Sequence, residues 1–366
     1  MDVVIITVDI GNLTSGQSRY AFNLAMALRL AGNSVGMVSL SSSDKATRAL
    51  EEANVPVSSL HTNTRGLPFR VSTMISGGVV ANRLGGLARR LPKPDWYIVT
   101  GDDCIGVGRQ LSGAARAYVT HGDPALLYTN RELYNGLGVG LAALSTTMAL
   151  RIVQRSAQVL YYDLLLANSQ TTRTIMSYLY GVPFERVLSP PVDTQFFAPT
   201  NEHPEPGYVL TMLRNNREQN IHLIERVAQR LPVVVVGEAS PANCRLAGAS
   251  ISDPELVTLY GKARFLIFPT VSEMLGLPVL ESLACGTPVL CFDSGGPSEL
   301  VQDGYNGWLA VDERHFVSRA VEAYRAGTSV EIRKRARQSV MKYSLDAVGH
   351  EFSAILEKKL MSTLSK

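Results

Sequence analysis

Cysteine is scarce in this chain: Cys104, Cys244, Cys285 and Cys291 are the only four in 366 residues, with no CxxC pair and no histidine at metal-ligand spacing. That pattern excludes a disulfide framework and a structural zinc site, and it predicts reduced thiols in a cytoplasmic protein. Charge is thin as well, at 18% of residues, and 35 basic against 32 acidic side chains leave only +3. A dedicated nucleic-acid binder needs a concentrated basic stripe, so no nucleic-acid partner is expected. Long apolar runs are missing. The longest weakly polar stretch, Leu137 to Leu150, carries Ser145, Thr146 and Thr147 and falls short of the ~20 residues that a spanning helix needs. The opening MDVVIITVDI has an acid at position 2 and no basic n-region, so it reads as a buried strand rather than a secretion signal. No GxGxxG follows that strand, which disfavours a dinucleotide-dependent oxidoreductase.

What is present is a folded chain, 46% hydrophobic, long enough for two domains at ~150 residues each. Its first half alternates short β-branched runs with helical patterns, the signature of a parallel α/β sheet. VVIITV opens it, a Gly-containing loop follows, and Phe22, Leu24, Ala25, Leu28 and Leu30 mark a helix from about Ser18 to Ala31. Further strands are expected at Val35 to Leu40, Trp96 to Thr100, Ala117 to Thr120 and Leu164 to Ala167. Their polar tips, such as Thr100-Gly-Asp-Asp103 and Thr120-His-Gly-Asp123, fall where open α/β sheets bind ligands. A proline-dense break from Ser189 to Gly207 predicts a linker able to act as a hinge. The alternation then restarts with YVLTML, PVVVVGE, RFLIFPT and TPVLCFD, and the last fifty residues are helical in pattern.

The densest chemistry lies between Pro269 and Leu300. Pro278 after Gly276-Leu277 suits the first turn of a helix, where a missing N–H costs nothing. Glu273 then belongs to the preceding loop and Glu281 to the end of the first turn. On one continuous helix, eight residues would separate them by ~12 Å, too far for a joint acid and base pair. With a loop between, two carboxylates can grip both ends of one elongated ligand, while N–H groups near Leu275 to Leu277 face an anionic centre. A sugar nucleotide has that layout: diol, diphosphate, diol. Carboxylates accept paired hydrogen bonds from vicinal hydroxyls.

The Glu273 and Glu281 spacing, followed by SLACGTPVLCFDSGGPSELVQDGYNGWL and preceded by NSQTTRTIMSYLYGVPFERVLSPPVDTQFFAP, resembles the retaining glycosyltransferases of family 4, which have the GT-B fold. The resemblance covers about the whole chain and is strongest from Asn168 to Leu309. It implies two Rossmann-like domains facing across a cleft: an acceptor-binding domain at 1–195, a nucleotide-sugar-binding domain at 196–343, and a C-terminal helix at 344–366 packing back on the first domain. It further implies that Glu273 binds donor-sugar hydroxyls, Glu281 the ribose, and the Gly276 and Leu277 N–H groups the phosphates. An Arg and a Lys that neutralise the leaving diphosphate in the family correspond here to Arg214 and Gln219, and the usual Gly before the Arg is Leu213. Gln219 carries no charge, so a catalytically weak binding or partner subunit is the alternative function. His121 matches the family's His that reaches the donor sugar. Gly16, with Ser15 where a second Gly is usual, is the implied contact in the first loop. GT-B enzymes need no bound metal, so neither a metal nor a cofactor is expected beside the nucleotide diphosphate sugar. The implied reaction is transfer to a glycan, lipid-linked or small-molecule acceptor with retention of configuration.

Three other features carry weaker readings. Gly11 to Ser18 has the GxxxxG-x-[ST] spacing of a P-loop, but Gln17 replaces the lysine that such a loop needs. The adjacent Asp102 and Asp103 point apart on a strand tip and read as a loop cap or an acceptor-side contact rather than a metal site. No acid occurs between Ala53 and Pro94, yet Arg65, Arg70, Arg83, Arg89, Arg90 and Lys93 do. Residues 65–93 are therefore a candidate peripheral contact with anionic lipid at the inner membrane face, against the alternative of a solvated basic surface.

Overall fold

The computed structural model describes residues 1–11, 15–61, 80–122, 152, 154–200, 207–213, 220–238, 240–249, 251–271 and 273–364. The chain divides into two compact units, residues 1–191 with 345–366, and residues 192–344.

The first unit is built on a parallel sheet of β1 (Asp2–Ile6), β2 (Asp9–Ile10), β3 (Ser34–Ser42), β4 (Val57–His61), β5 (Trp96–Thr100), β6 (Ala115–Thr120), β7 (Leu164–Ala167) and β8 (Arg186–Val187). Spatially it runs β4-β3-β1-β5-β6-β7-β8, with β2 continuing the line of β1 along β3. Central strands are apolar on both faces, as helices on both sides require. Val4 and Ile6 of β1 enter one core with Tyr97, Val99 and Tyr118, while Val3 and Ile5 enter the opposite core with Trp96, Ile98 and Val119. The helices are α1 (Gly16–Leu30), α2 (Asp44–Glu52) and α3 (Gln170–Tyr180), with residues 80–88 and 154–159 also helical. A 3-10 helix, Asp102–Gln110, follows β5.

The second unit has a six-stranded parallel sheet of β9 (Tyr208–Leu213), β10 (Val233–Gly237), β11 (Cys244–Gly248), β12 (Ala263–Phe268), β13 (Val289–Phe292) and β14 (Gly307–Ala310). The order is β11-β10-β9-β12-β13-β14. Its helices are α4 (Ile221–Ala228), α5 (Asp253–Lys262), α6 (Leu277–Ala284), α7 (Pro297–Leu300), α8 (Glu313–Ala326) and α9 (Val330–Ser339). Cys285 and Cys291 are fully buried. The last helix, α10 (Leu345–Leu364), returns to the first unit and packs along α1, burying Val348, Phe352 and Leu356 beside Tyr20, Leu24 and Leu28.

The expected α/β architecture is present in both halves. The proline-dense stretch differs from a free linker over its described part. Val192 donates its N–H to the Tyr343 carbonyl, Phe197 is buried, and Arg337 donates to the carbonyls of Thr194 and Phe197 at 2.6 and 2.7 Å. Residues 194–196 form a turn closed by the Phe197 N–H on the Asp193 carbonyl at 2.8 Å, and the Arg337 guanidinium from α9 satisfies carbonyls at both of its ends. No described helix is long and apolar enough to cross a membrane.

Candidate active site

In a doubly wound sheet the crevice for ligand opens at the carboxyl ends of the strands where the order reverses. In the second unit that point lies between β9 and β12. β12 ends at Phe268, and the loop after it carries Glu273 into α6. Gly276 caps α6 with a left-handed backbone, φ 88° and ψ 83°, and with no side-chain cap. Glycine adopts this conformation without strain, and Pro278 in the first turn has no N–H to leave unpaired. The start of α6 is thus an uncapped, electropositive helix terminus whose leading N–H groups are those of Gly276 and Leu277.

Glu281, one turn further on, is only 5% exposed. A buried carboxylate is strongly disfavoured unless it is hydrogen-bonded. The fully buried Tyr260 of α5 meets this need: its hydroxyl lies 3.2 Å from Glu281 Oε2 and 3.3 Å from the Pro278 carbonyl. Glu273 is half-buried, and its Oε1 accepts the N–H of Met274 at 3.1 Å. The loop is backed by Gly295 and Gly296. The Gly296 N–H donates to the Glu273 carbonyl at 3.0 Å, and a Cβ at Gly296 would fall 1.8 Å from the Met274 carbonyl oxygen. Only glycine permits this approach.

In the first unit the strand order reverses between β1 and β5. The loop after β1 is tied down by Asp9, whose carboxylate accepts the Gly11 N–H at 2.7 Å, the Ser18 hydroxyl at 3.3 Å and the Ser41 hydroxyl. That bonding sets α1 to begin at Gly16, with Ser15 at the cap position making no side-chain cap bond. Gln17 lies over the end of β5, close enough that a Cβ on Gly101 would collide with its amide. His121 ends β6. Its ring Nε2 is 2.6 Å from Thr100 Oγ1, and Tyr20 of α1 meets the ring edge-on at a 4.4 Å centroid distance. Burial pushes the imidazole pKa down from 6.5 to about 4, so His121 is neutral at neutral pH. Gly16 opens the helix whose Tyr20 packs on His121, so α1 links the two residues although they are 105 positions apart in sequence.

Asp102 is a cap for this corner. It accepts the Tyr118 and Thr120 hydroxyls, both at 2.8 Å, and the His121 N–H at 3.2 Å. Asp103 faces Arg155 at 3.7 Å. Among the described residues, no three His, Cys, Asp or Glu side chains gather to hold a metal ion. A cavity of about 460 Å³ lined by Tyr208, Val233, Asn243, Arg245 and Tyr324 opens at the amino ends of β9 and β10, the opposite edge of the sheet from the start of α6.

Arg214 and Gln219 lie outside the described residues, as do Arg65 and Arg70 of the basic stretch. Arg83, Arg89, Arg90 and Lys93 are described and exposed. Sequence reasoning missed Tyr260, Thr100 and Tyr20 as partners of the predicted residues. Only Thr100, at a polar strand tip, gave a signal. Gly295-Gly296 was not read as the backing of the Glu273 loop either.

Residues 193–337 match the family model described as glycosyl transferases group 1. The chain is similar to D-inositol 3-phosphate glycosyltransferase 1 of Catenulispora acidiphila, 28% identical over 216 residues that cover 48% of this chain and 51% of that protein. It is also similar to D-inositol 3-phosphate glycosyltransferase of Pseudarthrobacter chlorophenolicus, 30% identical over 41% of this chain and 44% of that protein. It spans about half the length of these curated relatives. Among solved structures, sucrose-phosphate synthase from Thermosynechococcus elongatus superposes with a TM-score of 0.78 at 16% identity, covering 98% of this chain and 99% of that one. Anabaena HepE in complex with UDP and glucose gives 0.71 at 15%, with the same coverage. Residues 193–337 therefore match a glycosyl transferases group 1 model, in a chain whose fold is GT-B.

Proposed function

We propose that this protein is a retaining glycosyltransferase of family 4, moving a sugar from a nucleotide diphosphate sugar to an acceptor hydroxyl. The observation that carries the reading is the start of α6. An uncapped helix terminus stands between a half-buried Glu273 and a Glu281 held by Tyr260, at the carboxyl edge where this sheet order binds ligands. Glu273 takes the sugar hydroxyls, Glu281 the ribose, and the Gly276 and Leu277 N–H groups the diphosphate. Arg214 offsets the charge that builds on the leaving group as the glycosidic bond breaks. His121 serves the face of the sugar as a neutral hydrogen-bonding group, and Gly16 is the contact that the first loop offers. The acceptor attacks from the face that the diphosphate leaves, and the departing phosphate oxygen takes its proton. No metal takes part.

The donor belongs to the unit at 192–344 and the acceptor to the unit at 1–191. The HepE structures in complex with UDP and glucose and with UDP-glucose support a nucleotide-sugar donor, and the phosphorylated inositol in the curated relatives' name supports a small-molecule acceptor among the glycan, lipid-linked and small-molecule classes. The exposed Arg83, Arg89, Arg90 and Lys93 support work in the cytoplasm with a peripheral contact on anionic membrane. Vesicle co-sedimentation that weakens with added salt is the result expected of that contact, and salt-insensitive or absent binding contradicts it.

The test is thermal shift with UDP, GDP, ADP and their common sugar conjugates, run beside Glu281→Ala. A ligand at 100 times its Kd stabilises by ~2.7 kcal/mol, a shift of a few degrees. One nucleotide should shift the native protein and not the variant; a response equal in both refutes the site. The replacement of a lysine by Gln219 favours a second reading, a nucleotide-sugar-binding subunit with weak turnover, because one missing charge forfeits ~3 kcal/mol of leaving-group stabilisation. A gain in turnover on Gln219→Lys supports the second reading. Fast native turnover with no gain supports the first.

A further inference from the structure

We infer that Thr100 is a positioning residue that fixes the His121 ring by its Nε2 edge and leaves Nδ1 for the sugar. The inference rests on the proposed role of His121 and adds the group that orients it. Three elements converge on this one side chain. From β5, Thr100 Oγ1 lies 2.6 Å from Nε2. From α1, the Tyr20 ring stands at 88° to the imidazole with centroids 4.4 Å apart. From the 3-10 helix, Asp102 accepts the His121 N–H at 3.2 Å and the neighbouring Thr120 hydroxyl at 2.8 Å. The main chain and one ring edge are therefore both held.

Thr100 is fully buried whereas His121 is only half-buried. Nδ1 has no partner among the described residues. A neutral imidazole donates from one nitrogen and accepts at the other, and a threonine hydroxyl serves in either role. Whichever way the Thr100 proton points, it sets the complementary function at Nδ1.

The choice of a hydroxyl also matters chemically. A carboxylate against Nε2 would stabilise the imidazolium and raise the basicity of the ring. The nearby carboxylate, Asp102, is instead occupied by Tyr118, Thr120 and the His121 backbone. Burial, which pushes the ring pKa down to about 4, acts in the same direction. His121 is built to remain a neutral hydrogen-bond partner whose Nε2 edge is held by a hydroxyl.

The experiment compares Thr100→Val, which keeps the shape and removes the hydroxyl, with Thr100→Ser, which keeps the hydroxyl. In full-length protein carrying 15N-labelled histidine, Thr100→Val is expected to shift the His121 ring nitrogens toward an averaged tautomer, and Thr100→Ser to keep the native pattern. This arm needs no donor. With the nucleotide sugar that gives the largest thermal shift among UDP-glucose, UDP-N-acetylglucosamine, GDP-mannose and ADP-glucose, donor turnover is followed by nucleotide release. Thr100→Val should lower kcat by about tenfold, with KM for the donor changed less than threefold. Thr100→Ser should recover most of the loss, and Thr100→Val should add nothing in a His121→Ala background. Unchanged His121 nitrogen signals in Thr100→Val overturn the inference, and so does an equal loss of kcat with and without His121. Native kcat in His121→Ala removes the role of His121 and this inference together. The donor site remains separately decided by Glu281→Ala.

Discussion

His121 shows how one half-buried side chain couples function to acid stability. Its pKa is about 4 in the folded protein against 6.5 in a free chain, because burial disfavours the imidazolium. Between those values the unfolded chain binds a proton that the folded chain does not. The neutral ring is therefore fully tolerated above pH about 6.5, and its contribution is lost as the pH falls toward 4. The loss is no more than about 3 kcal/mol for a shift of this size. Urea unfolding of His121→Asn, measured from pH 7 to pH 4, should show a shallower loss of stability than the native protein across that window, and parallel pH dependences would contradict the assignment. Glu281 poses the complementary problem of a charge kept in a buried place. Its partner Tyr260 is 21 positions earlier in the chain, on a helix whose own sequence carries no mark of the task. The carboxylate was legible from sequence because Glu273 and Glu281 flank a glycine and a proline at a helix start; the hydroxyl that keeps it in place was not, because it depends on how α5 packs against α6.

At the scale of elements, α6 is set at both ends by neighbours. Arg337 from α9 donates to the Ala284 carbonyl at 2.8 Å, placing a cation at the negative end of the helix. At the other end, Gly295 and Gly296 press against the loop that carries Glu273. In Gly296→Ala the new methyl would lie 1.8 Å from the Met274 carbonyl oxygen, well inside contact distance, so the loop must move. The backbone at Glu273 moves with it, while Glu281 remains anchored through Tyr260. The expected result is a retained thermal shift with the nucleoside diphosphate and a lost increment from the attached sugar. Loss of both, or of neither, argues against this division of labour. The same contrast explains which elements could be read in advance. β5, β6, β7, β9, β10, β12 and β13 are apolar runs buried in the middle of sheets. β11 alternates poorly and is half-exposed at an edge, β14 closes the other edge, and β2 and β8 have two residues each. Such strands are defined by a neighbour's hydrogen bonds rather than by their own pattern.

For the whole molecule, the informative feature is that chain order and structural order disagree. α10 follows the second unit in sequence but completes the core of the first, where Val348, Phe352 and Leu356 are all buried. Burying three such side chains is worth about 6 kcal/mol, comparable with the net stability of a typical domain. The first unit therefore cannot be complete until α10 has been made. A helical pattern at the end of a chain announces an amphipathic helix but not which core it fills, since that depends on the close approach of α10 to α1. Gly349 permits the approach: a Cβ there would lie 2.1 Å from the Ala27 carbonyl oxygen. Gly349→Leu should force the two helices apart, lower the melting temperature of the first unit by several degrees, and leave nucleotide binding at α6 intact. Limited proteolysis and nucleotide titration of the same variant check the two halves of this expectation. Cleavage confined to residues 1–191 and 345–366 with an unchanged nucleotide Kd is the predicted outcome; a loss of affinity would mean that α10 supports the donor site as well as its own core.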